Sequence, residues 1–167
     1  MTVRVMPHLE RRETTGWAMA LGCILALVGC APKPIPGTTI DDTADNRAIL
    51  QTLERYRATV ENRDASGLLA LVSHSFRDTG GTSNPEDDLT YATLQQNLPE
   101  RLARIQDVHA DLDIRAIAVD KDSANAIFYY NLRFRIPSLT TRPQNESDLK
   151  QMKLHKEAGQ WKIISGI

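Results

Sequence analysis

The spacing of hydrophobic and polar positions after residue 42 changes once along the chain, from a helical repeat to an alternating one. Asp42 or Thr43 can cap a helix, and apolar residues then recur three or four positions apart, as on one helix face. The members of this stripe are Ile49, Leu50, Leu53, Tyr56 and Val60. The pattern predicts a first helix that ends near Asn62-Arg63. Asp64 is then predicted to cap a shorter, leucine-rich second helix.

A third helical pattern follows a loop over residues 77–88 that is rich in glycine, proline and acidic residues. Its apolar positions are again three or four apart: Tyr91, Leu94, Leu98, Leu102 and Ile105. Pro99 lies inside this pattern, where a proline removes a backbone hydrogen bond and clashes with the preceding turn. We therefore expect a kink or a restart of the helix at Pro99.

From Asp107 onward the apolar residues alternate with polar ones, which is the pattern of half-buried strands. The phase slips between Ile114 and Ile117, as at a bulge, and residues 120–123 supply a turn. In the next strand, Ala126, Phe128, Tyr130, Leu132, Phe134 and Ile136 share one face. Two further strands, 148–156 and 160–167, are predicted to form a hairpin across residues 157–159.

Helices followed by an antiparallel meander indicate an α+β domain with its helices on one face of the sheet. A curved sheet wrapped around such helices leaves a cone-shaped hollow. The long apolar row from Ala126 to Ile136 is predicted to line that hollow.

The N-terminal 29 residues have the parts of a secretory signal. The apolar run from Trp17 to Val28 spans 12 residues, whereas a membrane-spanning helix needs about 20. Leu27-Val28-Gly29-Cys30 resembles a bacterial lipobox, and this resemblance implies cleavage before Cys30 and a lipid such as palmitate on Cys30. Export by the Sec route is expected, because Arg11-Arg12 lacks the apolar residues that follow a twin-arginine signal. By resemblance to the sorting rules of diderm bacteria, Ala31 after the cysteine implies the outer membrane, and the periplasmic side is the expected one. The alternative is an ordinary cleavage site at which Cys30 carries no lipid.

The remaining chain is divided into a lipidated cysteine with a flexible tether, 30–43, and one domain, 44–167. Proline and glycine within residues 31–42 favour an extended tether. The whole chain has a formal net charge of −1, which lacks the basic excess expected of a nucleic-acid-binding protein. Cys23 is removed with the signal, so the mature chain cannot form an internal disulfide.

Several segments resemble the nuclear transport factor 2-like superfamily, whose domains are also described as SnoaL-like or cystatin-like. The resemblance covers residues 45–167 and is closest to uncharacterised, lipid-anchored bacterial members. The segments that carry it lie at 53–58, 63–65, 68–73, 76–78, 119–124 and 159–166. Pro99 departs from the family pattern, in which the third helix is uninterrupted.

The superfamily contains isomerases, epoxide hydrolases, dehydratases and cyclases, together with transport and assembly factors that have no catalytic activity. Its enzymes place acids, histidine or tyrosine inside the cone, so the catalytic candidates here are Tyr56, His74 and Asp148. Asp148 is also expected to reach the cone rim and pair with Arg133 or Arg135. The predicted pocket lining is Tyr56, Phe76, Phe128, Tyr130, Leu132, Phe134, Met152 and Trp161.

The favoured interpretation is a non-catalytic envelope lipoprotein whose cone binds a small apolar ligand or whose domain docks onto an envelope protein. The alternative is a small dehydratase, isomerase or cyclase. No metal site or cofactor is predicted, because the histidines lack ligand spacing. A homodimer through the sheet face that carries Tyr129, Asn131 and Arg133 is a further possibility.

Overall fold

The computed structural model describes residues 33–82, 84, 86, 88–140 and 142–167. The predicted signal peptide and Cys30 lie outside the described residues. From residue 33 onward the chain forms one compact unit with its own hydrophobic core. The α+β fold predicted from the spacing of apolar residues is confirmed, with three helices packed against an antiparallel sheet.

The first two helices begin at the capping residues that the sequence predicts. Helix α1 spans Ala44–Glu61, and the Thr43 side chain accepts a hydrogen bond from the backbone N–H of Asn46 at 3.1 Å. Helix α2 spans Ala65–Leu71, and Asp64 accepts from the N–H of Gly67 at 2.9 Å. These bonds satisfy N–H groups that a helix start otherwise leaves unpaired.

Helix α3 spans Tyr91–Arg104 and continues through Pro99, so the predicted restart does not occur. Proline at this position deprives the carbonyl of Gln95 of its intrahelical donor. Both Pro99 and Gln95 are exposed, so water can satisfy that carbonyl. The buried face of the helix carries Leu94, Leu98 and Leu102 and is not interrupted.

The main sheet has four strands, whose order in the sheet follows their order in the chain, and every neighbouring pair is antiparallel. Two short strands, β1 (Arg77–Asp78) and β2 (Leu89–Thr90), pair separately at the ends of the loop that the sequence predicts. The bounds of the main strands are β3 Gln106–Asp120, β4 Ser123–Arg135, β5 Gln144–Glu157 and β6 Gln160–Ser165. The pairing of β3 with β4 shifts between Ile114 and Ala116, as the slip in alternation predicts.

Strand β5 begins at Gln144, four residues before the start that the sequence indicates. Its first residues are mainly polar and exposed, so they carry no alternation signal. They form a strand because they continue the ladder with β4, in which Gln144 lies opposite Phe134 and Glu146 opposite Leu132. Glu146 thereby becomes part of the sheet.

The described part of the predicted tether, from residue 33 to 43, folds back on itself. Pro34 and Asp41 form an antiparallel bridge, and Ile40 is only 4% exposed. The side-chain amide of Asn46 donates to the carbonyl oxygen of Asp41 at 2.8 Å, which ties this loop to α1. Burial of an isoleucine accounts for the difference from an extended tether, since composition gives no information about such a contact.

Two polar clusters fasten the β5–β6 hairpin to the helices. Asp45, at the start of α1, accepts a hydrogen bond from Lys156 Nζ at 2.6 Å and another from Trp161 Nε1 at 3.2 Å. The buried Ser73 hydroxyl donates to Glu157 at 2.6 Å, just after α2. The hairpin therefore closes the sheet against the helical layer.

Candidate functional site in the cone

A cavity of about 340 Å³ lies between the helices and the C-terminal half of β4. Most of its wall is apolar. Its apolar members are Val60, Leu68, Leu89, Leu94, Leu98, Leu102, Ile105, Leu132, Phe134, Ile136 and Ile167. The side chains that bring polar groups to it are Tyr56, Arg101, Arg104 and Glu146. A cavity of this size and lining falls within the range of small-molecule binding sites.

Helix α3 forms the largest part of this wall. Leu94, Leu98 and Leu102 are four residues apart and therefore lie on one face of the helix. The sequence predicts this stripe, but not that it borders an open space rather than a filled core. The chain end also contributes, since Ile167 lines the cavity.

Three residues of the predicted pocket lining border the cavity: Tyr56, Leu132 and Phe134. The other five are buried in the packed core and are not among its lining residues: Phe76, Phe128, Tyr130, Met152 and Trp161. Strand alternation correctly places β4 residues on the inner face, yet side chains fill the cone around its N-terminal half. Among the described residues, the cavity borders the C-terminal half of β4.

Tyr56 and Tyr130 bring phenol groups into this largely apolar region. Burial raises the pKa of Tyr56, and the neighbouring Tyr130 and Glu146 raise it further. Burial, with a smaller contribution from Glu146, raises the pKa of Tyr130 to about 12. Both phenols are therefore protonated at neutral pH and can donate a hydrogen bond. Tyr56 borders the cavity, and no other described residue is hydrogen-bonded to its hydroxyl.

The charged groups of the cavity are Arg101, Arg104 and Glu146. Arg104 forms an ion pair with Glu100 one helical turn earlier. Among the described residues, Arg101 has no ion pair or side-chain hydrogen bond. The alternation of apolar and polar residues does not predict Glu146 as a site residue, because the predicted strand begins after it. The only sequence signal for it is its even spacing from Met152 and Leu154, which share its face of β5.

The three catalytic candidates do not come together. His74 is exposed, and its ring lies against Tyr91 with 4.3 Å between ring centroids. The Asp148 side chain is 63% exposed, with one carboxylate oxygen 3.9 Å from Lys150 Nζ. Neither residue lines the cavity that Tyr56 borders. An acid–base group built from these three residues is therefore not assembled in this structure.

The expected pairing of Asp148 with Arg133 or Arg135 does not occur. Asp148 lies opposite Tyr130 in the ladder, and residues directly opposite each other point to the same face of the sheet. Arg133 and Arg135 differ from Tyr130 by an odd number of positions and therefore point to the other face. Arg135 instead pairs with Asp107 at 2.6 Å.

The outer face of the sheet exposes two large apolar side chains opposite each other in the ladder, Tyr129 and Leu149, which are 42% and 52% exposed. The Arg115 guanidinium lies 5.0 Å from the Tyr129 ring centroid. Asn131 accepts a hydrogen bond from Ser147 at 2.6 Å on the same face. Self-association through this face remains a prediction.

The described residues contain no cluster of three or more histidine, cysteine or acidic side chains placed to hold a metal ion. Within the same residues, no helix has both the length and the apolar character needed to cross a membrane.

Solved structures with the same fold come from several bacteria. A conserved protein from Planctomyces limnophilus superposes with a TM-score of 0.64 at 14% identity, covering 74% of this chain and 93% of the other. A nuclear transport factor 2-like superfamily protein from Salmonella enterica gives 0.60 at 16% identity, with 74% and 90% coverage. A suggested dehydratase of the same family from Streptomyces avermitilis gives 0.58 at 13% identity, with 73% and 92% coverage.

These similarities define the fold as the cone of nuclear transport factor 2-like proteins. The resemblance stated from residues 45–167 is thus confirmed at the level of the fold. No protein-family model matches the sequence, and the search of curated proteins found no match. At such low identities the structural similarity concerns the fold alone.

Proposed function

We propose that this domain binds a small, largely apolar molecule in its cone and has no catalytic activity of its own. The observation that supports this proposal is the cavity of about 340 Å³, whose wall combines 11 apolar residues with a single phenol and three charged groups. Burial of apolar ligand surface provides the binding free energy in such a site, and the few polar groups orient the ligand.

The three residues predicted as catalytic candidates do not form an acid–base pair, and their separation also supports binding over catalysis. General acid–base chemistry needs a proton donor and acceptor within hydrogen-bond reach of the reacting group. Tyr56 is a protonated donor with a raised pKa, while His74 and Asp148 lie outside the cavity lining. A docking role toward an envelope protein remains the other form of this proposal, and it would not depend on the cavity.

The neutral ligand 1-octanol tests the binding proposal on the domain from residue 33 onward. Titration followed by ¹H–¹⁵N NMR is expected to shift the amide signals of cavity-lining residues in a saturable manner. Leu132→Trp fills the cavity from β4 and is expected to weaken this binding at least about tenfold, which corresponds to 1.4 kcal/mol. Asn131→Trp, on the outer face of the same strand, is the matched control.

Two results would contradict the proposal. Scattered shifts without saturation would indicate that the cavity does not bind apolar molecules. Equal affinity of the Leu132→Trp and Asn131→Trp proteins would place any binding outside the cone.

We further propose that the domain is held at the bacterial outer membrane, facing the periplasm, by lipid on Cys30. Support comes from the lipobox-like sequence, the short apolar run before it and the single cysteine that remains after cleavage. Stable anchoring requires two or more lipid chains. In cells fed a labelled palmitate analogue, the wild-type protein should carry label and fractionate with membranes, whereas Cys30→Ser should do neither. Label on the Cys30→Ser protein would refute lipidation at this residue.

A small enzyme of the dehydratase, isomerase or cyclase type is the second candidate function. It is favoured by a protonated Tyr56 bordering an apolar cavity, where a phenol can stabilise developing negative charge on a carbonyl oxygen. The suggested dehydratase from Streptomyces avermitilis shares the fold. If turnover of an enolisable ketone or hydroxy acid is detected, Tyr56→Phe should reduce kcat at least about a hundredfold. Unchanged kcat in that variant would exclude Tyr56 as the catalytic donor.

A further inference from the structure

We propose that the cone selects an amphipathic anion, with a short acyl chain in the cavity and its carboxylate bound by Arg101. This inference rests on the proposed binding function and adds the chemical class of the ligand. It follows from the hydrogen-bonding character of the few polar groups that border an otherwise apolar wall.

Arg101 is the cavity-lining cation whose charge is not neutralised by a neighbouring side chain. Arg104 lies on the same wall, but its guanidinium is paired with Glu100. Among the described residues, Arg101 has no carboxylate within 4.0 Å. A guanidinium offers five N–H donors in a planar fork that matches both oxygens of a carboxylate. Arg101 is thus the group on this wall best suited to an anionic head.

Side-chain donors outnumber side-chain acceptors around the cavity. The side chains of Arg101, Arg104 and Tyr56 can all donate, whereas Glu146 is the lining residue with a charged accepting side chain. A ligand that supplies acceptor oxygens satisfies more of these groups than a cationic or purely donating ligand. Glu146 opposes an anion by charge repulsion, so its neutralisation should strengthen binding.

The cavity volume sets the length of the chain. At about 30 Å³ for each water-sized group, a cavity of about 340 Å³ accommodates roughly eleven non-hydrogen atoms. Octanoate, with eight carbons and two oxygens, matches this size. It also shares its chain with 1-octanol and octyltrimethylammonium, which differ from it in the charge of the head.

The experiment compares these three ligands by the same NMR titration, on the wild-type domain and three variants. Octanoate is expected to bind a few-fold more tightly than 1-octanol, and octyltrimethylammonium more weakly than either, because Arg101 is exposed and solvent weakens an exposed ion pair. Arg101→Gln should remove this preference for octanoate while leaving 1-octanol binding unchanged. Glu146→Gln should tighten octanoate binding a few-fold. Arg55→Gln, on the exposed face of α1, is the control and should change nothing.

The outcomes separate this inference from the binding function on which it rests. If 1-octanol binds in the cavity and octanoate binds no better, or if Arg101→Gln retains the preference for octanoate, the anion inference is wrong and apolar binding stands. Tightest binding by octyltrimethylammonium would also overturn the inference, in favour of recognition by Glu146. If none of the three ligands binds, the proposed binding function itself fails.

Discussion

Replacement of Gly166 by alanine should destabilise the domain and disturb the cavity. Gly166 follows β6 with φ of 91°, in a region of backbone conformation that residues with a Cβ rarely adopt. A Cβ built there would lie 2.1 Å from the carbonyl oxygen of Gln151 and 2.9 Å from the Cα of Met152. Both of those atoms belong to the backbone of β5, so no side-chain rotation can relieve the contact.

The size of the effect combines two costs. A non-glycine residue in an unfavourable positive-φ conformation costs roughly 1–2 kcal/mol. Overpacking that requires the backbone to move costs roughly 1–3 kcal/mol more. Displacement of Gly166 would also strain the 2.7 Å hydrogen bond from its N–H to Asp78. We therefore expect Gly166→Ala to lower the free energy of unfolding by about 2–5 kcal/mol.

Gly159→Ala is the matched control, because Gly159 also has a positive φ, 80°, but no atom lies within 4 Å of the position that a Cβ would take there. Urea unfolding followed by circular dichroism should show a loss of about 1–2 kcal/mol for Gly159→Ala and a clearly larger loss for Gly166→Ala. Because Ile167 lines the cavity, Gly166→Ala should also weaken 1-octanol binding. Equal losses of stability in the two variants would refute the reasoning from steric contact.

Three further predictions concern stability. The pKa of Asp45 is lowered, mainly by its hydrogen bond with Lys156. The stabilisation that the Asp45 carboxylate provides is therefore present above the ordinary carboxyl pKa near 3.8, and it is lost as the pH falls through the lowered pKa. Urea unfolding should accordingly show a lower free energy of unfolding for Asp45→Asn than for the wild type at pH 6, and this difference should shrink at pH 3. A difference that is the same at both pH values would show that it does not arise from the charge of Asp45. Pro99→Ala should raise the unfolding free energy by about 1–3 kcal/mol, since it restores a donor for Gln95 on an exposed helix face; destabilisation would show that the proline is needed there. Phe128→Ala should cost about 3–5 kcal/mol in the same assay because Phe128 is almost fully buried, whereas a loss below about 1 kcal/mol would argue against a filled inner cone.

Local patterns in the sequence determined the helices, the main strands and their faces. Thr43 and Asp64 cap the first two helices because their short side chains can reach backbone N–H groups two or three residues ahead. The slip in alternation after Ile114 appears as the shift in pairing between β3 and β4. Such features depend on neighbours within a few positions, so periodicity is sufficient to predict them.

Tertiary structure alone decided where the cone is filled and where it is open. Alternation placed Phe128 and Leu132 on the same face, but only Leu132 borders the cavity. The cavity is the space left after side chains from α1, α3, β4 and the chain end have packed, and its position depends on volumes contributed by residues far apart in sequence. Glu146 enters the site for a similar reason, because pairing with β4 extends β5 through a polar segment that has no periodic signal of its own.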